Sequence, residues 1–545
     1  MDQRFERSKN TWYERTNTGG DFLNSLTEIL RSYKECQDKN AFKELDNMIY
    51  DYLSQAAIEQ KDLLIEACKE VLEPCADRKN TGYQRQEEKM TKEFFCFILS
   101  LLMRLEKKTE DTNSLLKEIL LGDFNADELY YIWNQFKRLS LKKMVQTDRE
   151  SYNLLERIYR KSYDIYFEKT KSQLEKIPKE QRDPACIVVL TIQLLGMNHA
   201  PTKTLIERVK WLKKLGKKVY IVNTTEQYLA AGEIPIYDPA VGSVEESYRN
   251  AHVIRFGEDD FDFLQISEKM TIERKLRTVL RLIRQVKPFY ILSMGTGSMT
   301  ADLCGQAIPT ASMALAFSNL PHTMNPMKIL GRMIREEEKE TFANMDVIES
   351  RFTFELKEQT HTFTRKEYRI PEDAFVLVIV GIRLDYELSD DFTKLLITLE
   401  KEGFFVVLAG KFETYSDWCQ NDPVLEQNTN FIGYCEDMEA LMEICDLYIN
   451  PIRLGGGFSV IEAFAKGVPG VYIKAGDVFV SGGPDFAVND LGEMKEQIER
   501  YRKDDAFYRE MSAKAKDRAK LMTSSESAIR DLNDAIEQRV REKYW

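Results

Sequence analysis

Glycine and proline divide this chain of 545 residues into two unlike parts. Residues 1–180 contain 2 of the 15 prolines and 4 of the 26 glycines, and the rest contains 13 and 22. The two strongest helix breakers are nearly excluded from the first third, which predicts an all-helical region. Apolar periodicity supports helices near 21–36, 41–57, 59–72, 88–106, 126–139 and 150–175. In the fourth, Phe94, Phe95, Ile98, Leu101, Leu102 and Leu105 recur at helical spacing. No 34-residue repeat organises these segments. Such a layer reads either as a docking element or as a structural cap on the next domain of the chain.

From Ala185 the texture changes to short apolar strands alternating with helices. CIVVLTI (186–192), KVYIVN (218–223), HVIRF (252–256), FYILSM (289–294) and TASMALAF (310–317) read as strands. Helical stretches near 201–214, 270–286 and 299–307 lie among them. A second series runs from FVLVIVG (375–381) through FFVVLAG (404–410), NFIGY (430–434), DLYINP (446–451) and GVYIK (470–474). Its helices fall near 389–402, 437–445 and 459–466, and three more, near 491–502, 505–520 and 524–541, finish the chain. The charged stretch 346–374, with Pro371, reads as the linker between the series. This rhythm predicts an α/β class with two Rossmann-like, doubly wound domains of parallel strands, whose carboxyl ends face a cleft. The expected domains are 1–180, all helical, then 181–365 and 366–545, the last including the terminal helices.

Composition narrows the function classes. With 43% hydrophobic and 30% charged residues, the chain has the proportions of a globular protein. A net charge of −12 argues against broad binding of nucleic acid or anionic membranes. No run approaches the roughly 18 apolar residues of a membrane span. MDQRFERSKNTWYERT also lacks a signal-peptide core. A cytoplasmic protein without an integral membrane segment is the expectation. Nine scattered cysteines without a CxxC pair read as reduced thiols, and only four histidines are present, so no metal site is expected. Asp260-Phe261-Asp262 has the form of a metal-binding DxD but sits in an acidic run, and reads as a solvated loop.

The stretch with most chemical content is Asn450-Pro451-Ile452-Arg453-Leu454-Gly455-Gly456-Gly457-Phe458-Ser459-Val460-Ile461-Glu462-Ala463, followed by Gly467-Val468-Pro469. It leaves a buried strand, crosses three glycines and enters a helix at Ser459. Glycines let backbone amides approach a ligand, and a helix start carries partial positive charge, which suits a diphosphate. Glu462, one turn in, is placed to accept hydrogen bonds from sugar hydroxyls. A flexible strand-to-helix turn with a solvated glutamate is the plainer reading of the same residues.

In the first series, Gly196-Met197-Asn198-His199-Ala200-Pro201 follows the first strand, and His199 is a candidate base for an acceptor hydroxyl. A helix start with Pro201 at its first turn explains the same residues structurally. His322, in Asn319-Leu320-Pro321-His322, is its rival, and Gly295-Thr296-Gly297-Ser298 is a weak phosphate-loop candidate.

The 450–469 stretch resembles the donor-binding segment of glycosyltransferases with the GT-B fold. Pro451, Gly455–Gly457, Glu462-Ala463 and Gly467-Val468-Pro469 match that pattern in order and spacing, as do Asn430-Phe431-Ile432-Gly433 and Asp446-Leu447-Tyr448-Ile449. The likeness covers roughly 184–520 and is strong over 375–475. It departs at Leu454, where retaining members usually carry a second glutamate. The resemblance implies that Arg383, after the first strand of the second series, and Lys411, after its second, neutralise the donor diphosphate. The amides of Gly455, Gly456, Gly457, Phe458 and Ser459 join them, and Glu462 binds ribose or sugar hydroxyls. Two basic residues in loops are also ordinary surface residues. With a helical region before the two Rossmann-like domains, the layout resembles that of bacterial cytoplasmic protein glycosyltransferases.

The resulting expectation is a metal-independent hexosyltransferase. It uses a nucleotide sugar, UDP-linked, as substrate with no further cofactor, and a protein or peptide acceptor docked on the helical region. A catalytically inactive GT-B-like partner of a glycosylation or secretion complex is the alternative, favoured by Leu454. A sugar-nucleotide 2-epimerase shares the fold and is the second alternative.

Overall fold

The computed structural model describes residues 22–55, 58–72, 90–316 and 319–544. Cys75, Phe317 of the strand expected at 310–317, the opening stretch 1–16, and the margins of three expected helices at 21, 56–57 and 88–89 lie outside the described residues. The chain divides into two units. One comprises residues up to Glu175 with Thr224–Val244 and Ile266–Leu280; the other comprises Lys176–Asn223, Glu245–Gln265 and everything from Arg281.

The first unit is built on helices α1 (Phe22–Ser32), α2 (Lys39–Gln55), α3 (Ile58–Leu72), α4 (Lys92–Glu106), α5 (Thr109–Leu121), α6 (Ala126–Leu141) and α7 (Arg149–Thr170). Periodicity does not predict α5, whose first half, Thr-Glu-Asp-Thr-Asn-Ser, shows no apolar stripe. Its Leu115, Leu116 and Ile119 are nevertheless buried. In α4 every residue from Phe94 to Met103 is buried, and Thr91 caps it by accepting from the Phe94 amide at 3.3 Å. Capping boxes start α6 (Asn125 with Glu128) and α7 (Asp148 with Ser151). Polar side chains then fix the later segment 224–244. Gln135 exchanges two hydrogen bonds with the Ala240 peptide (2.8 and 3.3 Å), Asn134 donates to Glu226 O at 3.2 Å, and Ser100 Oγ accepts from the Tyr237 amide at 2.9 Å.

The second unit holds two sheets. The first has strands β1 (Asp183–Thr191), β2 (Lys218–Asn223), β3 (Val253–Phe256), β4 (Asp259–Gln265), β5 (Pro288–Met294), β6 (Thr310–Met313), β7 (Met327–Leu330) and β8 (Asp346–Glu349). Their order is β3-β4-β2-β1-β5-β6-β7-β8, and all pairs are parallel except β3 with β4. Helices α8 (Ala200–Lys214), α9 (Ile272–Val286), α10 (Met299–Cys304) and α11 (Lys339–Phe342) lie between strands in the chain.

Three expectations need correction here. The stretch 346–349 is an edge strand, so the linker is shorter than 346–374. The strand expected at 310–317 ends at Met313. Asp260-Phe261-Asp262 lies on β4, not in a loop; Phe261 is buried between exposed aspartates, and Arg255 of β3 grips Asp260 with two bonds of 2.7 and 2.8 Å. A period-2 pattern thus wins over the acidic composition.

The second sheet contains β9 (Phe375–Gly381), β10 (Phe404–Gly410), β11 (Thr429–Phe431), β12 (Leu447–Ile449), β13 (Gly470–Ile473) and β14 (Ala487–Val488), ordered β11-β10-β9-β12-β13-β14 and parallel throughout. Its helices are α12 (Leu384–Glu387), α13 (Asp390–Lys401), α14 (Tyr415–Cys419), α15 (Pro423–Asn428), α16 (Met438–Glu443), α17 (Gly457–Ala465), α18 (Gly476–Gly482), α19 (Leu491–Lys503) and α20 (Asp505–Met522). The last helix, α21 (Ser525–Lys543), returns to the first sheet: Tyr290 donates to Asn533 at 3.0 Å, and Arg539 pairs with Asp346 at 2.9 Å. The chain passes between the sheets near 350–354 and 523–525. At those crossings Thr353 and Ser525 both donate to one buried carboxylate, Glu207 of α8. This is the GT-B architecture: two parallel-sheet α/β domains with a helical N-terminal region.

Candidate functional site

In a doubly wound sheet, ligands bind beyond the carboxyl ends of the strands, where the strand order reverses. In the second sheet that point lies between β9 and β12. The loops leaving these strands carry Arg383 and the three glycines.

Arg453, given no role from sequence, ties the two loops together. Its side chain is 5% exposed. Nη1 donates to Glu387 Oε2 at 2.5 Å and Nη2 to the Val380 carbonyl at 2.5 Å, while Nε and Nη2 both reach Asn450 Oδ1 (3.0 and 2.7 Å). The other oxygen of Glu387 accepts from Arg383 Nε and Nη2 at 3.1 and 3.0 Å. One buried carboxylate therefore bridges two guanidiniums: Arg453 inside the fold, and Arg383 at its edge, 36% exposed. A Cβ placed on Gly455 would lie 3.7 Å from Arg383 Nη2, so the cation stands beside the glycine loop.

Two glycines are demanded by close approach. Gly456 has φ +96°, and a Cβ there would come within 2.3 Å of Asn450 Oδ1. Gly410, ending β10 with φ +122°, would place a Cβ 1.9 Å from the Gly381 carbonyl. Helix α17 begins at Gly457, two residues before the expected start at Ser459. The amides of its first turn have no intrahelical acceptor by geometry. The Ser459 hydroxyl is engaged inward, 2.9 Å from Tyr448 Oη, so its amide is the part available to a ligand. Lys411 Nζ is exposed and paired with Glu413 at 2.7 Å; contacts of this exposed kind are worth little.

Glu462 is half-buried, and among the described residues its carboxylate makes no hydrogen bond or ion pair. Burial pushes its pKa up to about 7; Lys203 and Lys357 pull the other way, and Glu439 adds to the rise. Lys203 belongs to the first sheet's helix α8, yet its Nζ sits 4.8 Å from the Phe458 ring centroid.

In the first sheet the order reverses between β1 and β5. His199 stands at the N-cap position of α8 there, with Nδ1 3.2 Å from Thr202 Oγ1, and burial lowers its pKa to about 4. The ring is neutral at pH 7 and a weaker base than free imidazole. His322 is brought to the loop after β5: its amide donates to Thr296 Oγ1 at 2.8 Å, and its carbonyl accepts from the Gly297 amide at 2.7 Å. Asp302 holds this segment from below, accepting from the Met324 amide at 2.8 Å and from Asn325 at 3.0 Å. The structure thus gathers Arg383, the glycine loop and Glu462 at one switch point, with Lys411 on the neighbouring strand. It places His199 and His322 with loops at the other. Among the described residues, no group of three or more His, Cys, Asp or Glu side chains could hold a metal ion, and no helix is long and apolar enough to cross a membrane.

No curated protein sequence matches the chain. Among solved structures, an O-GlcNAc transferase mutant of Thermobaculum terrenum is similar, with a TM-score of 0.50 and 13% identity, covering 95% of this chain and 98% of that one. A Rickettsia africae glycosyltransferase has a TM-score of 0.47 and 10% identity, over 66% of this chain and 100% of its own. HepE of Anabaena, in complex with UDP, has a TM-score of 0.47 and 12% identity, over 65% and 99%. Residues 374–504 match the model of the family described as glycosyl transferases group 1. They span β9 to the end of α19 and include Arg383, Lys411, the glycine loop and Glu462, so the second half of this GT-B fold carries a glycosyl transferases group 1 domain.

Proposed function

We propose that the protein is a glycosyltransferase that moves a sugar from a nucleotide sugar, UDP-linked, to an acceptor hydroxyl. The observation that carries this reading is the convergence of Arg383, the glycine loop and an unpaired Glu462 at the β9/β12 switch point. The donor diphosphate lies against the amides of 455–459 and Arg383, with Lys411 at the rim, and Glu462 accepts from ribose or sugar hydroxyls. As the bond between the anomeric carbon and the diphosphate oxygen breaks, the leaving nucleoside diphosphate gains charge. Arg383, Lys411 and the helix start stabilise it, so catalysis needs no metal. His199, as a neutral imidazole, takes the acceptor proton in an inverting displacement, and His322 is its rival. The helical unit docks a protein or peptide acceptor, in a cytoplasmic setting.

The second reading is a nucleotide-binding partner without turnover. It is favoured by Leu454, by the low basicity of His199 and by the pairing of Lys411 with Glu413. Titrating the full chain with UDP and GDP, and assaying UDP-sugar turnover with and without EDTA, separates these outcomes. Binding with EDTA-resistant turnover fits the transferase; binding without turnover fits the partner. Turnover abolished by EDTA and restored by manganese would overturn the metal-independent mechanism. If neither nucleotide binds at millimolar levels, or Gly456→Val leaves binding unchanged, the site assignment fails.

A further inference from the structure

We propose that Lys203, on the first half of the GT-B fold, is a ligand of the donor diphosphate and completes an anion site whose other members all lie on the second half. The inference rests on the nucleotide-sugar reading above and deepens it. Sequence reasoning gave Lys203 no role, because it stands one turn into an ordinary amphipathic helix, 255 residues from the segment it faces.

The contrast with its neighbours on α8 is informative. Lys210 pairs with Glu355, Lys213 Nζ donates to the Asp260 carbonyl at 2.8 Å, and Lys214 covers the Trp211 ring at 4.4 Å. Lys203, among the described residues, has no hydrogen bond or ion pair for its ammonium. It is half-buried over Phe458, a residue in the first turn of α17. Burial lowers its proton affinity, and Lys357 adds to the fall, while the facing Glu462 carboxylate opposes it.

The charge around it explains what it lacks. Lys357 faces the same place, and Arg383 stands beside Gly455. The carboxylates do not balance them. Glu462 faces Lys203 but its pKa is raised by burial to about 7, so it offsets only part of this charge; Glu439 is engaged by Lys466 at 3.2 Å, and Glu387 is shared between Arg383 and Arg453. A further cation held at the positive end of a helix is unfavourable until an anion arrives. A diphosphate carries at least two charges, and the departing nucleoside diphosphate gains another, which a compact ammonium meets without a change of geometry. Because Lys203 comes from the opposite half, its contact makes the affinity for the diphosphate depend on both halves of the fold.

The test compares Lys203→Met and Lys203→Gln with wild type and with Lys210→Met, a control on the same helix. Full-length protein is titrated with UDP, GDP and the corresponding nucleosides, and thermal melting checks that each variant is folded. The expected result is about a 10-fold loss of nucleoside diphosphate affinity in both Lys203 variants, little change in nucleoside affinity, and no change for Lys210→Met. Equal loss for nucleoside and nucleoside diphosphate would overturn the phosphate contact in favour of a structural role. Unchanged diphosphate affinity in a folded Lys203→Gln would overturn it while leaving the donor site standing. Failure of wild type to bind any nucleoside diphosphate would remove both the donor reading and this inference.

Discussion

The two sheets share a central parallel strand order that reverses once, and differ in what stands at their switch points. In the second, the loops after β9 and β12 are locked by the buried Arg453–Glu387 pair and by glycines that accept no side chain. In the first, the segments after β1, β5 and β6 are held by hydroxyls, a buried aspartate and backbone amides, and carry two imidazoles. A site for a polyanion needs fixed cations and exposed amides; a site that moves one proton needs a neutral base. On the proposed function the diphosphate belongs to the second sheet and the acceptor chemistry to the first, and variants in the two places should then fail in different ways.

Arg453→Met should have the largest effect. Removing one partner of a buried pair typically costs about 3–5 kcal/mol, and here the lower end applies because Glu387 keeps Arg383. Lower melting and lost UDP binding are expected together. A variant that melts like wild type would show that the loops hold their shape without Arg453.

His199→Ala should leave UDP affinity intact and lower turnover by about 10²-fold, the low end for a positioned base, since its pKa is near 4. The ring stays neutral above that value, so the turnover profile should show no limb near pH 6.5 from this group, only a loss as pH falls toward 4. If His322→Ala carries the rate loss instead, the base lies on the β6 side of the switch point. Retention of the donor's anomeric configuration would exclude the inverting displacement whichever histidine acts.

Smaller effects separate the two cations of the second sheet. Arg383, pre-oriented by Glu387 beside Gly455, should lose about 10-fold in UDP affinity on change to methionine. Lys411, exposed and already paired with Glu413, should lose about threefold. The reverse order would mean that the diphosphate lies toward β10 rather than over the β9/β12 junction.

Much of this contrast was legible in the sequence, because a strand, a glycine turn and a helix start are local. Gly455–Gly457 and Glu462 stood out from the local strand, glycine and helix pattern, Arg383 from the family resemblance, and 374–504 is the stretch that matches a family model. What escaped depends on distant partners. Arg453 takes its meaning from Glu387, 66 residues away, and Lys203 from Phe458. The strand at 346–349 is four residues long and closes an edge, too short for a period to show. Segment 224–244 carries no helical pattern, and long-range hydrogen bonds such as those of Gln135, Asn134 and Ser100 reveal its place in the helical unit.

The smallest effect is the one most specific to the second sheet, the titration of Glu462. Its folded pKa is raised to about 7 from the usual 4.5, chiefly by burial, with Lys203 and Lys357 opposing and Glu439 assisting. Below pH 4.5 the carboxyl is protonated whether the chain is folded or unfolded, and contributes nothing to pH dependence. Between 4.5 and 7 the unfolded chain has released a proton that the folded chain still holds, so stability falls as pH rises. Above 7 the full cost of a buried carboxylate is present. Glu462→Gln removes this titration while keeping the shape. In the absence of nucleotide it should melt above wild type at pH 8, with the gap closing toward pH 5. With UDP added the order should reverse, because the carboxylate accepts from the ribose better than an amide does. A glutamine variant that melts below wild type at every pH without nucleotide would mean that Glu462 is satisfied within the fold, and would return it from ligand contact to structural support.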